Sequence, residues 1–284
     1  MTSLLVMSSV LLRRAALPTF LASACAVVLA QPAQPATPKA AAALPQVTVT
    51  AAQRDSVEKS YRKMLRAMDL FERQHGLAPN ALLRFKLLPR RRDTNMEYIE
   101  LEIIGNTVEL QVPIAADHTF ALPRHRKAAE EDAVVTPNRR SRSMTWRTEI
   151  RTPGLPPGTR RLGDLRLECE VGIEAGLVSN SGSLIGQLAR LLTDSMGYCQ
   201  ASDQRYLFFA ERPVFSVTLV AGARREILPI EKLYAEASND PGLKQDLPYC
   251  DCEVLVDRTY FVPLGDRSWP DDSLVYFDYM DDVQ

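Results

Sequence analysis

Two hydrophobic periods divide this chain. From Asp55 to His75, Val57, Tyr61, Met64, Leu65, Met68 and Phe71 recur at intervals of three and four, with Lys59, Arg62, Lys63, Arg66 and Glu72 mostly off that stripe. The spacing predicts an amphipathic helix over 55–76 that needs a partner surface for its stripe. Asp55 is placed to cap the first turn with Glu58 bonding back, and Gly76 to end it in the left-handed conformation. Beyond Gly76 the period falls to two. Leu83, Phe85 and Leu87 alternate with Arg84 and Lys86, and Ile99, Leu101 and Ile103 with Glu100 and Glu102. Gly105-Asn106 then reads as the turn of a hairpin into Val108, Leu110 and Val112.

Further strands are expected at His118–Leu122, Met144–Ile150 and Leu165–Val171, the last with Leu167 and Cys169 facing inward; Arg124–Ser143 reads as a charged loop. Helical spacing returns at Ser183–Met196 through Leu184, Ile185, Leu188, Leu191 and Leu192. Strands resume at Tyr206–Phe209, Pro213–Val220 and Arg224–Ile230, the last two joined by an Ala221-Gly222 turn, and then at Cys252–Val256, Thr259–Val262 and Leu274–Met280. Short, closely spaced strands with turn residues between them point to a mainly β fold. The expected form is an antiparallel β-sandwich, one composite or two small fused ones, with a long N-terminal amphipathic helix and a helical insertion. The organisation expected is a first β region over 77–171, then the insertion and a second β region over 172–284.

What precedes the helix bears on location. Arg13-Arg14 stand before an apolar run, Ala15–Ala30, that ends Val28-Leu29-Ala30. A basic pair, a short apolar core and a small-residue site are the parts of a secretory signal peptide, cut after Ala30. The run is too short for a spanning helix, which needs about 20 apolar residues. A second apolar stretch, Leu4–Leu12, precedes the arginines, so Met7 is an alternative start. Leu21-Ala22-Ser23-Ala24-Cys25 raises lipidation at Cys25 as the competing reading, although Ala22 stands where a large aliphatic residue belongs. Residues 31–54 then form a Pro- and Ala-rich linker, held extended by prolines 32, 35, 38 and 45. The expected location is the periplasm or the exterior.

Charge and cysteines narrow the classes. The net charge of −1 conceals an asymmetry: Pro45–Leu165 carries 21 Lys/Arg against 15 Asp/Glu, and Arg166–Gln284 carries 10 against 20. The basic clusters at Arg90–Arg92, Arg124–Lys127 and Arg139–Arg142 lack interleaved aromatics, which argues against nucleic acid. Cys169, Cys199, Cys250 and Cys252 remain after the leader. An even count in an exported protein implies disulfides. Cys169–Cys199 is the expected bond, leaving Cys250-Asp251-Cys252 as a possible second redox pair, or a metal site that lacks a second such pair.

Signatures of chemistry are few. His75, His118 and His125 form no zinc pair, and there is no GxSxG, P-loop or GxGxxG. No catalytic, cofactor or metal residue is therefore assigned. Asp266, Asp271 and Asp272 gather carboxylates in one loop without the ligand spacing of a calcium site. Glu109-Leu-Gln-Val-Pro-Ile and Asp117-His-Thr-Phe-Ala-Leu-Pro resemble the strand–turn–strand of prealbumin-like and carboxypeptidase-regulatory-like sandwiches, which implies a polar turn leading to an inward Phe120. Arg160–Cys169 and Asp266–Asp272 make the chain similar to uncharacterised exported proteobacterial proteins, a likeness that brings no activity. The expectation is a non-enzymatic binding or structural protein of the envelope, with an envelope partner. The rival is a hydrolase with an acidic site drawn from distant residues.

Overall fold

Leu82–Pro89 and Met144–Arg151 pair antiparallel over their full length, Leu82 opposite Arg151 and Pro89 opposite Met144. Their alternation turns Phe85, Leu87, Met144, Trp146 and Ile150 into one core. The computed structural model describes residues 58–140, 143–177, 195–201, 206–234 and 255–282. The expected signal peptide and linker, most of the Ser183–Met196 segment and both Cys250 and Cys252 lie outside the described residues.

In chain order the elements are β1 (Lys59–Ser60), α1 (Tyr61–Arg73), β2 (Leu82–Pro89), β3 (Leu101–Ile104), β4 (Glu109–Val112), β5 (Thr119–Phe120), α2 (Arg126–Glu130), β6 (Val134–Pro137), β7 (Met144–Arg151) and β8 (Thr159–Arg161). Then come α3 (Leu162–Glu174), α4 (Ser195–Gln200), β9 (Phe208–Phe209), β10 (Val214–Ala221), β11 (Arg224–Ile227), β12 (Thr259–Tyr260) and β13 (Leu274–Tyr279). The chain is mainly sheet, every strand pairing is antiparallel, and helices are few. The sheets run β1-β6-β3-β4, β5-β2-β7 and β11-β10-β13-β8, with β9 and β12 as a separate pair. All described residues belong to one unit, Ala51–Gln284.

The helix α1 is shorter than its apolar period and turned relative to it. Ser60 caps it, its hydroxyl accepting from the Lys63 N–H at 3.3 Å, and the helix ends at Arg73 with Gln74 as its C-cap. Gly76 lies in a following 3-10 turn, not in a left-handed stop. The buried line is Tyr61, Met64, Ala67 and Leu70, while Leu65, Met68 and Phe71 are half-buried at its flank. Small Ala67 lets the helix sit close, so the centre of contact falls one position from where side-chain size alone put it. The Tyr61 hydroxyl donates to the Pro123 carbonyl and accepts from the His125 N–H at 2.8 Å, tying α1 to the segment that leads from β5 into α2.

Other local readings need correction. Gly105 and Val108 close a four-residue loop through a 2.8 Å bond, so β3 and β4 join by a longer turn than Gly105-Asn106 alone. In the second hairpin the turn is Gly222-Ala223, where Gly222 takes a φ of +58°. The charged stretch after Arg124 is not a loop throughout: it contains α2, capped by the His125 ring, and β6.

The largest correction is Leu165–Val171, which lies inside α3 and not in a strand. Leu162, Leu165 and Cys169 enter one core, together with Val217, Trp269 and Val275. Leu167 and Val171 enter the other, with Phe85 and Trp146. A helix buried on two sides has apolar residues on both faces and no single stripe. Its alternating leucines and charges imitate a strand because Arg166, Glu168 and Glu170 are also buried. Cys169 of α3 is disulfide-bonded to Cys199 of α4, with Cα atoms 6.1 Å apart.

Candidate ligand-binding cleft

The open edge of β7 is occupied by side chains. Among the described strands it has one neighbour, β2, so its other backbone groups need partners. The Ile150 N–H donates to Glu168 Oε2 at 3.0 Å, and Arg160 Nη2 donates to the Ile150 carbonyl at 2.8 Å. Arg160 and Glu168 also pair with each other at 2.7 Å, both more than nine-tenths buried. One turn earlier on α3, Asp164 accepts from the Thr152 N–H at 2.7 Å and from its hydroxyl at 2.8 Å. The Thr148 hydroxyl donates to the Glu168 carbonyl at 2.9 Å. Two ions and a carboxylate thus complete an edge that a strand would otherwise cover.

Over this edge the β9–β12 pair leaves a narrow cleft of two lobes, which share Arg151, Phe209, Ala210 and Glu211. The first lobe, shallow and partly open to solvent, adds Lys86, Arg147, Glu149 and Glu168. Arg147 lies 4.7 Å from the centre of the Phe209 ring, and its Nη1 donates to the Leu177 carbonyl at 3.2 Å. The second lobe, with about 20 Å³ of free space, adds Arg160, Tyr260, Phe277 and Tyr279, the last three almost wholly buried. Gly158 in its lining has a φ of +66°, a conformation that disfavours any side chain.

Both lobes are lined by committed ions. Arg151 binds Glu149 and, at 3.0 Å, Glu211. Burial pushes the Glu168 carboxyl up, with the charge of Glu149 adding to it, while Arg160 and the Ile150 N–H pull it back. In Glu149 burial acts in the same sense, but Arg151, Arg160 and Lys86 outweigh it and hold the carboxyl below its ordinary range. Burial disfavours charge on Arg160, yet Glu168 beside it raises its pKa above the ordinary value. Burial also pushes Tyr206 up to about 12 and raises Tyr260.

The residues singled out from sequence lie elsewhere. Cys169 and Cys199 sit in the second core, away from solvent. Asp266 accepts from the Ser268 N–H at 2.9 Å, and Asp271 pairs with Arg166. The Asp266–Asp272 loop wraps that arginine, whose other N–H groups bond the Leu264, Asp266 and Trp269 carbonyls at 2.8–3.0 Å. Arg224 covers Trp269 at 3.6 Å from the ring centre. Among the described residues no three His, Cys, Asp or Glu side chains gather as a metal-holding group. The three histidines bond backbone: His75 the Ala81 carbonyl, His118 the Met96 carbonyl, and His125 the Ala128 N–H. No described helix is long and apolar enough to cross a membrane.

Arg147, Glu149, Arg151, Arg160 and Glu168 escaped the sequence reading because their neighbours come from distant segments. In Arg160-Arg-Leu-Gly-Asp-Leu-Arg-Leu-Glu, Asp164 and Glu168 stand four apart and so share a helix face, but residues four apart share a strand face too, so the spacing could not tell the two apart. The inward Phe120 after a polar turn is present, bridged to Ile114. Comparison with protein-family models, curated proteins and solved structures finds no match to this chain.

Proposed function

We propose that the mature protein acts outside the cytoplasm, in the periplasm or beyond, as a non-enzymatic binding or structural protein whose ligand rests in the cleft over β7. The commitment of Glu149, Glu168 and Glu211 to arginines carries this reading, because a hydrolytic carboxyl must be free to meet a substrate. The leader sequence and the Cys169–Cys199 bond support an oxidising compartment. The fold we read is two small sandwich-like halves fused along α3, one around each core, and an envelope partner remains part of the proposal.

One observation favours the rival. Glu149 and Glu168 line the same lobe and are shifted in opposite directions, the relation expected of an acid and a base. A panel of chromogenic esters and glycosides, run beside thermal-shift screening of small acids, amines and sugars, separates the two. Stabilisation without turnover supports the binder. Turnover that Glu149→Gln abolishes would replace it with the hydrolase. Mass spectrometry of the envelope form tests location, with Gln31 expected first; a diacylated species beginning at Cys25 would move the protein to a membrane surface.

A further inference from the structure

The edge strand β4 carries a sequence that is nearly its own reverse. Val108-Glu109-Leu110-Gln111-Val112 is symmetric about Leu110, except that a carboxylate on one side answers an amide on the other. In an antiparallel ladder alternate residues turn their N–H and C=O groups to opposite sides. The Gly105 N–H donates to the Val108 carbonyl at 2.8 Å, and Ile103 and Leu101 then pair with Leu110 and Val112. Val108, Leu110 and Val112 therefore commit their backbone groups to β3. Glu109 and Gln111 turn theirs outward, where no other described strand lies. The open stretch is bounded at both ends: the Thr107 N–H is held by Glu131 at 2.8 Å, and Pro113 has none. Glu109 and Gln111 are exposed, and the register with β3 runs without a bulge.

We infer that β4 is the contact through which two copies of this chain associate, antiparallel about a twofold axis at Leu110, so that the sheet β1-β6-β3-β4 continues into the second copy. In that register Glu109 lies opposite Gln111 of the second copy, and the two exchange N–H and C=O in both directions. Leu110 meets Leu110, and Val108 meets Val112. Other registers fail. A one-residue shift sets outward groups against committed ones. An axis at Glu109 sets carboxylate against carboxylate, and an axis at Gln111 faces Glu109 with Pro113. On the solvent face the Gln111 amide donates to Glu102 at 2.5 Å and keeps a second N–H for the opposing Glu109. On the other face half-buried Leu110, packed at the rim of the first core, gains cover from its twin. Edges are usually guarded by charge, Pro or a bulge, and the one charge in β4 is accommodated by this pairing. The edge strand β11 differs: a second copy centred within it would set Arg225 against Arg225 or Glu226 against Glu226.

This sheet contributes no residue to the cleft, so its test stands apart from the ligand reading. The full disulfide-bonded chain is followed by sedimentation velocity from about 1 to about 300 μM, a range suited to an interface below standard size. A reversible dimer is expected. In hydrogen exchange, raising the concentration should slow the Glu109 and Gln111 amides severalfold and leave the Leu110 amide, already turned to Ile103, as it was. Gln111→Glu, at an exposed position, sets carboxylate against carboxylate on both sides of the axis and should weaken the dimer at least tenfold. Adding Glu109→Lys to that variant should restore it. Gln111→Lys alone meets Glu109 with the opposite charge and should hold the dimer or tighten it. A monomer at every concentration would overturn the pairing. So would a dimer that Gln111→Glu leaves unchanged, that both Gln111 variants weaken alike, or that the double variant does not restore. Protection that appears on β11 instead would also overturn it. Glu109 and Gln111 amides protected at every concentration would do the same, because another segment of the same chain would then lie on the edge.

Discussion

The two cores of this protein are held together by different means. The first, around Phe85, Leu101, Trp146 and α1, is made by sheets whose strands place apolar residues inward at every second position. The second, around Trp269 and Tyr260, has long stretches of loop. Part of it is a run of rings, Tyr206–Phe208–Tyr260–Phe277–Tyr279, with successive centres 4.8–6.1 Å apart. Beside the sheet β11-β10-β13-β8, which turns Val217, Leu219 and Val275 inward, it relies on charged side chains bonded to loop backbone, as Arg166 is to three carbonyls. Backbone pairing satisfies a sheet regardless of which apolar residue fills a site. A loop wrapped on an arginine depends on that one residue. The second core should therefore be more sensitive to single polar changes, and the first to lost volume.

Arg166→Ala should have the largest effect. It strands Asp271 and leaves buried carbonyls without donors, a loss expected at about 3–5 kcal/mol. Urea unfolding followed by tryptophan fluorescence measures it; a change below about 1 kcal/mol would mean that water replaces the guanidinium freely. Reduction of Cys169–Cys199 comes next, at about 3–4 kcal/mol for a 30-residue separation. Because α3 serves both cores, reduction should lower the midpoint of both in one transition. Two resolved transitions would show that the cores are independent.

In the first core the expected losses follow volume. Met64→Ala should cost about 2–4 kcal/mol, whereas Leu65→Ala, at a half-buried position, should cost about 1 kcal/mol. Equal losses would put the helix back on the stripe read from sequence. A near-zero loss for Met64→Ala would mean that α1 is not docked in solution.

The smallest effect concerns Asp117. Burial would raise its carboxyl, but the Thr119 hydroxyl and N–H at 2.7 and 3.0 Å outweigh it and hold it below the ordinary value. Its stabilisation is complete above the unfolded carboxylate pKa near ~4 and is lost as pH falls through the lower folded value. The group is exposed, so under about 1 kcal/mol is at stake. Asp117→Asn should flatten only that acid limb, and the stability curves of variant and parent should converge below about pH 3.

These differences also explain what could be read in advance. The strands of the first core were legible because one face meets a core and the other meets solvent, so Leu101, Ile103 and Val112 announced their side. Helix α1 was legible as a helix, but not to the residue, since Ala67 is too small to weigh in a hydrophobic pattern. Helix α3 was illegible because both of its faces are inside, and its charges are matched by Arg160, Asp271 and the β7 backbone, which no local spacing shows. The cleft was illegible for the same reason. Lys86, Arg151, Arg160, Phe209 and Tyr260 meet only after β2, β7, β8, β9 and β12 are all in place.

An edge closed by a strand cannot be opened by changing one amino acid, but an edge closed by Glu168 and Arg160 can. A Glu168→Ala chain that retained its sheets would present the Ile150 N–H, freed from its carboxylate, as an invitation to another extended segment. The hazard written into this fold is then self-association as well as the loss of stability from leaving Arg160 buried without its partner. Light scattering of that variant should show larger species than the parent at temperatures where circular dichroism still reports native sheet, so one buried glutamate would decide whether this edge pairs with another chain.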